Sequence, residues 1–285
     1  MSFVNPKSMV QKAWEDGYAV PAFNSNGGCY DIIRAAVEAA EELGSPLILQ
    51  TYQDNLAYRG YKHAAEISAL LAEEATVPVA LQLDHGHSLS DCRGALEAGY
   101  TSVMIDVSHL PFEENVALTK QVLQLARKFK AAVEGEVGHI VIQKGDDALP
   151  ISPKTDIEEA REYCRRTGVD FLAVAIGTRH GVIESQTDID FPLLKKLRAS
   201  IEVPLVLHGT SGIPPELLSR CVQNGIAKAN FGEVFRVPYI KYFAEYMETL
   251  DHQYHPWRIM QACKDRLKED MKKLIRILGA EGKGR

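Results

Sequence analysis

Eight short apolar runs recur about every thirty residues, the size of a strand–helix unit, and alternate with longer segments of helical periodicity. Five of the eight runs end in polar, ligand-type residues. Together these observations predict an α/β fold, a TIM (β/α)8 barrel with an additional C-terminal helix, formed as a single domain over residues 1–285. Length alone would also allow two domains of about 150 residues, but no linker-like stretch divides the chain.

In chain order the apolar runs are Tyr18–Phe23, Pro46–Gln50, Pro78–Leu83, Thr101–Ile105, Ala131–Glu134, Phe171–Ile176, Pro204–Leu207 and Ile226–Asn230. Several are apolar without interruption, as parallel strands covered on both faces require. Tyr30–Leu43 follows the first run with apolar groups at helical spacing, and Lys62–Glu74 follows the second. Ser88–Ala98 follows the third, with Ser88 placed to cap it and Gly99 to stop it. Glu113–Phe129, Asp156–Thr167, Asp190–Ser200, Pro214–Asn224 and Val234–Thr249 follow the remaining five. A ninth helix, from about Trp257 to Leu278, is amphipathic and strongly charged and leads into the tail AEGKGR, which reads as flexible. The segment Gly138–Pro153 is long for a strand–helix connection: it is either a lid or binding loop, or simply mobile.

Composition narrows the function. With 46% hydrophobic and 25% charged residues the chain can bury a large core and is not a disordered sequence. A net charge of −6 offers no basic footprint for a nucleic acid. No uninterrupted apolar run is long enough to span a membrane. Cys29, Cys92, Cys164, Cys221 and Cys263 are odd in number and lack a CxxC pair, which points to thiols in a reducing, cytoplasmic compartment.

In a barrel of this kind chemistry collects where the strands end. The third run leads into Asp84-His85-Gly86, the fifth into Gly135-Glu136, the sixth into Gly177-Thr178-Arg179-His180-Gly181, the seventh into His208-Gly209, and the eighth ends on Asn230. His85, His180 and His208 could bind one zinc ion and leave a position open for substrate, or each could satisfy local hydrogen bonds. Asp84 could serve as a general base or orient a neighbouring imidazole. Glu134 and Glu136 share one strand face, so Glu136 is either an alternate metal ligand or the partner of a buried Lys or Arg. Turns at Gly177, Gly181, Gly209 and Gly212, with Thr210 and Ser211, have the composition of an anion nest.

The stretches YAVPAFN, LDHG, SVMIDVSHLPFEEN, VEGEVG, AVAIGTRHG, PLVLHGTSGIP and GIAKAN occur in this order. The chain thereby resembles the zinc-dependent class II aldolases over nearly its whole length, in particular the fructose- and tagatose-bisphosphate branch. The resemblance implies zinc held by His85, His180 and His208, with Glu136 binding it in a withdrawn position. It also implies Asp84 as proton acceptor at the C4 hydroxyl, Asn24 and Asn230 on the bound ketose, and a C1-phosphate cradle of Gly181, Gly209 and Ser211. It further implies a monovalent cation at the cradle, a small-molecule sugar substrate, and a homodimer or homotetramer. In such chemistry zinc polarises the ketone and the C3–C4 bond breaks, so Lys228 is not required as a Schiff-base lysine.

The departures from the family pattern concern phosphate. After the eighth run the chain reads Asn230-Phe231-Gly232-Glu233, so a carboxylate stands where a hydroxyl is usual and would repel an anion. Tyr52 replaces a serine or threonine, and His255-Pro256-Trp257-Arg258 replaces an Asp-Pro-Arg that grips the distal phosphate, with Arg258 displaced by one position. Arg179 stands where a small residue is usual: it could grip an anion, pair with Glu233, or be a surface arginine. Cys29 and Asp31 also depart from the pattern. The loop acid that reprotonates the product would be Asp146 or Asp147. These departures leave a ketose or sugar acid lacking one or both phosphates as the alternative substrate, and a non-catalytic sugar-phosphate-binding barrel as a further alternative.

Overall fold

The computed structural model describes residues 3–140, 154–249 and 255–285. Strands β1 (Val20–Asn24), β2 (Leu47–Tyr52), β3 (Val79–Gly86), β4 (Ser102–Ile105), β5 (Ala132–Val137), β6 (Phe171–Val174), β7 (Leu205–Leu207) and β8 (Ile226–Phe231) pair in parallel in chain order, and β8 closes the barrel on β1. All but the last residue of β2 are buried along these strands, which explains why they read as continuous apolar runs rather than alternating ones. The eight predicted strands are therefore present, in order.

Helix α1 (Lys7–Asp16) precedes the first strand and buries Met9, Val10 and Ala13 against the barrel. The sequence reading placed no helix there, nor the 3₁₀ turn Gln53–Ala57 after β2. The outer layer then follows as predicted: α2 (Tyr30–Leu43), α3 (Gly60–Ala72), α4 (Leu89–Glu97), α5 (Phe112–Phe129), α6 (Ile157–Thr167), α7 (Phe191–Ser200) and α8 (Pro215–Gln223). Ser88 does cap α4, its Oγ accepting from the Asp91 amide, and Asp156 and Asp190 do the same for α6 and α7. Among the described residues no helix is long and apolar enough to cross a membrane, and all five cysteines are free.

Helices α9 (Glu233–Thr249) and α10 (Pro256–Ile277) complete the chain. α10 lies along α2 and sets Lys264, Lys268 and Lys272, one turn apart, against Glu38 and Glu42. The tail 280–285 is not flexible as the sequence suggests. Ala280 is fully buried, and the amides of Gly282 and Gly284 donate to the carbonyls of Leu43 and Gly44, each at 2.8 Å. Those carbonyls end α2 and need donors from outside the helix. Glycine permits the approach, because a Cβ on Gly284 would lie 2.7 Å from the Ser45 carbonyl carbon.

Candidate active site

The C-terminal ends of the strands surround a cavity of about 890 Å³. The pairing of β3 with β4 slips between Leu83 and Gly86, and His85 sits in that interval at φ 52°, a left-handed conformation that a residue with a side chain rarely adopts. The irregularity turns His85 and Asp84 into the cavity, beside His180 from the turn after β6 and His208 from the end of β7. The three imidazoles stand nearly perpendicular to one another, with ring centroids 4.8, 5.0 and 5.8 Å apart. One nitrogen from each lies within 4.8 Å of the other two.

His85 and His208 are held by different carboxylates. His85 Nδ1 meets Asp106 Oδ2 at 2.6 Å, and its Nε2 faces His208 Nδ1 at 3.0 Å. His208 Nε2 meets Glu134 Oε1 at 2.7 Å, while the other oxygen of Glu134 accepts from Lys228 Nζ at 2.8 Å and from Gln82. Glu134 therefore has the buried lysine partner that two carboxylates inside a barrel demand, and Lys228 is tied up between Glu134 and Asn230 Oδ1. His180 Nε2 and Glu136 Oε2 are buried with no hydrogen-bond partner. Two orphaned atoms of metal-ligand type beside a cluster of imidazoles fit a metal ion, because burying them unpaired is otherwise costly. Glu136 is grouped with His85 and Asp106 as a second possible ligand set.

The electrostatics agree with that fit. Burial opposes a charge on His85, yet the carboxylates of Asp84, Asp106 and Glu136 outweigh it and raise its pKa to about 10, so the centre of the site favours positive charge. Burial and the neighbouring His85 and His208 push His180 well below its usual range, and burial lowers His208 against the pull of Glu134. Burial and the nearby Asp106 raise Glu136, whereas Asp106, despite its burial, is held low by the hydrogen bond to His85.

Asp84 receives Asn230 Nδ2 at 3.1 Å, and Asn24 Nδ2 and Gln50 Nε2 each at 3.4 Å. Three side-chain amides thus fix the direction of one carboxylate. The rings of Tyr52 and His85 meet in a T-shaped arrangement. Gly181, Gly209, Thr210 and Glu233 line the cavity. The two glycine turns touch: a Cβ on Gly209, at φ 63°, would lie 2.6 Å from the Arg179 carbonyl oxygen.

Arg179 and Ser211 do not line the cavity, and Glu233 pairs with Arg236 at 3.7 Å rather than with Arg179. Arg236, one turn into α9, is the guanidinium at the cavity wall. Arg258 lies over the Trp257 ring on α10 and is not part of the wall. Asp31 accepts from Tyr239 of α9 instead of facing the cavity, and Cys29 precedes α2. His87, His109 and His139 also line the cavity. Asp146 and Asp147 lie outside the described residues.

The sequence reading missed Asp106, Gln50, Gln186 and Arg236. Asp106 directly follows the fourth apolar run and Gln50 ends the second, so the strand-end rule already covered both. Gln186 and Arg236 carry no local signal.

The family description "Fructose-bisphosphate aldolase class-II" matches residues 4–283. The chain is 37% identical to the D-tagatose-1,6-bisphosphate aldolase subunit GatY of Klebsiella oxytoca, over 99% of each chain. It is similar in structure to the YdjI aldolase of Escherichia coli K12, with a TM-score of 0.87 and 29% identity over 99% of this chain and 100% of that one. The fold is shared with a fructose-bisphosphate aldolase of Campylobacter jejuni at a TM-score of 0.83, 22% identity, and 99% and 97% coverage of the two chains. A match that runs almost from end to end, on a barrel with three imidazoles gathered at its mouth, places this chain in the class II fructose-bisphosphate aldolase family.

Proposed function

We propose that the chain is a single catalytic domain that cleaves and forms the C3–C4 bond of a phosphorylated ketose, giving dihydroxyacetone phosphate and an aldehyde. The observation that carries this reading is the convergence of His85, His180 and His208 beside Asp84, in the cavity at the strand ends of the barrel. The GatY relative, whose name gives tagatose bisphosphate as its substrate, supports the substrate class.

His85, His180 and His208 would hold zinc, with Glu136 as a withdrawn fourth donor, and zinc so bound supplies Lewis acidity toward a carbonyl oxygen. Asp84, held by Asn24, Gln50 and Asn230, takes the proton of the C4 hydroxyl. The C4 oxygen then becomes the aldehyde oxygen, and the electron pair of the C3–C4 bond passes into the ketone fragment. A proton returned to C3 completes that product. Asp106 and Glu134 orient His85 and His208 and keep each ring in one tautomer. Backbone amides of the two glycine turns cradle the C1 phosphate, with Ser211 beside them and Arg236 as a guanidinium at the cavity wall.

Glu233 at the cavity wall favours a second reading, a ketose or sugar acid with fewer phosphates. Its charge is answered in part by Arg236, which keeps the phosphorylated substrate first. The test is a retro-aldol screen of ketose mono- and bisphosphates beside unphosphorylated ketoses and ketoacids, with and without a chelator. Chelator-sensitive cleavage of a ketose phosphate is expected, and no cleavage of any ketose would overturn the assignment.

The free cysteines support a cytoplasmic location. A homo-oligomer is supported by the exposed Val237, Ile240, Phe243 and Met247 of α9 and Trp257 and Met260 of α10, since such apolar surface on neighbouring helices marks an interface.

A further inference from the structure

Gln186 lies in the connection between β6 and α7, only 3% exposed, and its side chain serves neither the imidazoles nor the cavity. Its Oε1 accepts from the Arg179 amide at 2.8 Å. Its Nε2 faces three backbone carbonyls, those of Arg179 at 3.2 Å, Gly209 at 2.9 Å and Ser211 at 2.5 Å. The Gln186 backbone amide donates to the Gly212 carbonyl at 2.7 Å, which fixes where the side chain starts.

Two features of this arrangement matter. A primary amide nitrogen carries two protons, so three converging carbonyls are one more than it can fully satisfy. A concave set of backbone carbonyls is also the ligand type that takes a monovalent cation by replacing its hydration shell. Here the centre of the set is filled by the partly positive NH2 of the chain itself. The residues bonded also flank the site: Arg179 precedes His180, and Gly209 follows His208. Gln186 therefore ties together the two turns that carry two of the three imidazoles and the amides of the anion cradle.

We infer that the Gln186 side-chain amide is a built-in replacement for a monovalent cation, filling a cage of backbone carbonyls and locking the His180 and His208 turns in register, so that the cradle is ordered without such an ion. Gln186 is a positioning residue, acting through the turns and not on the substrate. The inference rests on the proposed function only in naming those turns an anion cradle.

The test is the melting temperature of the zinc-loaded protein in potassium, sodium or tetramethylammonium chloride at one ionic strength, about 0.1 M. Wild type is expected to melt alike in all three salts. Gln186→Ala, which opens the cage, should melt about 5 °C lower in tetramethylammonium and recover part of the loss in potassium or sodium. Gln186→Glu, which keeps the shape but turns an oxygen toward the carbonyls, should show a larger cation dependence, and it carries the test if the alanine variant does not fold. A wild-type protein that gains several degrees from potassium or sodium overturns the inference, as does a folded variant that ignores the cation. Neither readout depends on turnover, so failure here is distinguishable from failure of the proposed reaction.

Discussion

Nδ1 of His85 lies 2.6 Å from Oδ2 of Asp106, so a residue at the end of β4 holds the ring that β3 turns into the cavity. A carboxylate on the far nitrogen of a ligating imidazole fixes its orientation and raises its basicity, and its loss typically costs on the order of 10–100-fold in metal affinity. Asp106→Ala is therefore expected to weaken zinc binding by about that factor while leaving the barrel folded. Competition with a chromophoric chelator measures it, and unchanged affinity would count against the role given to Asp106.

The buried triangle of Glu134, Lys228 and His208 yields a second prediction. Lys228→Met leaves Glu134 fully buried with its main counter-charge gone, and breaking a buried pair in this way costs about 3–5 kcal/mol. Urea unfolding should show the loss. Because Lys228 is spent on this pair, borohydride added during turnover should trap no protein-bound substrate. A reduced adduct on Lys228 would replace the assigned chemistry with an imine mechanism.

The anion cradle is tested at Glu233 and Arg236. Removing the carboxylate while keeping Arg236 should improve kcat/KM on a ketose 1-phosphate for Glu233→Thr by about tenfold or less, since the pair is partly exposed and screened. Arg236→Ala should move the same parameter the other way. An unchanged or lower rate in Glu233→Thr would show that Glu233 does not hinder phosphate.

Helix α10 supplies a pH prediction. Burial alone would raise the Glu38 carboxyl, but hydrogen bonds from Lys264 and Arg34 and the charges of Lys264 and Lys268 hold it below the usual carboxylate range. A carboxyl depressed by folding contributes stability above its unfolded pKa, and that contribution fades as the pH falls through the folded value. Glu38→Gln should thus lower stability at neutral pH by about 1–2 kcal/mol and make the acid limb of the stability curve flatter. Equal acid sensitivity in wild type and variant would remove Glu38 from the docking of α10.

Most of the barrel is legible in the sequence because a fully buried parallel strand must be apolar throughout, so its polar terminus stands out. Asp84, His85, His208 and Asn230 are visible for that reason. Other features depend on neighbours distant in sequence. The tail 280–285 has the composition of a frayed end, yet it supplies donors that only the end of α2 requires. Gln186 sits in the unremarkable stretch ESQTDID, and its role exists only because the turns of Arg179 and Gly209 touch. Arg179, conspicuous in the sequence, reaches no cavity wall, while Arg236, inconspicuous, does.

The central claim is that His85, His180 and His208 together hold the metal on which Asp84 depends. Zinc stoichiometry of the purified chain, measured by elemental analysis beside retro-aldol turnover, tests it most directly. The account predicts bound zinc in wild type, its loss together with turnover in folded His85→Ala, and retained zinc without turnover in Asp84→Asn. A His85→Ala protein that keeps both its zinc and its full rate would contradict it.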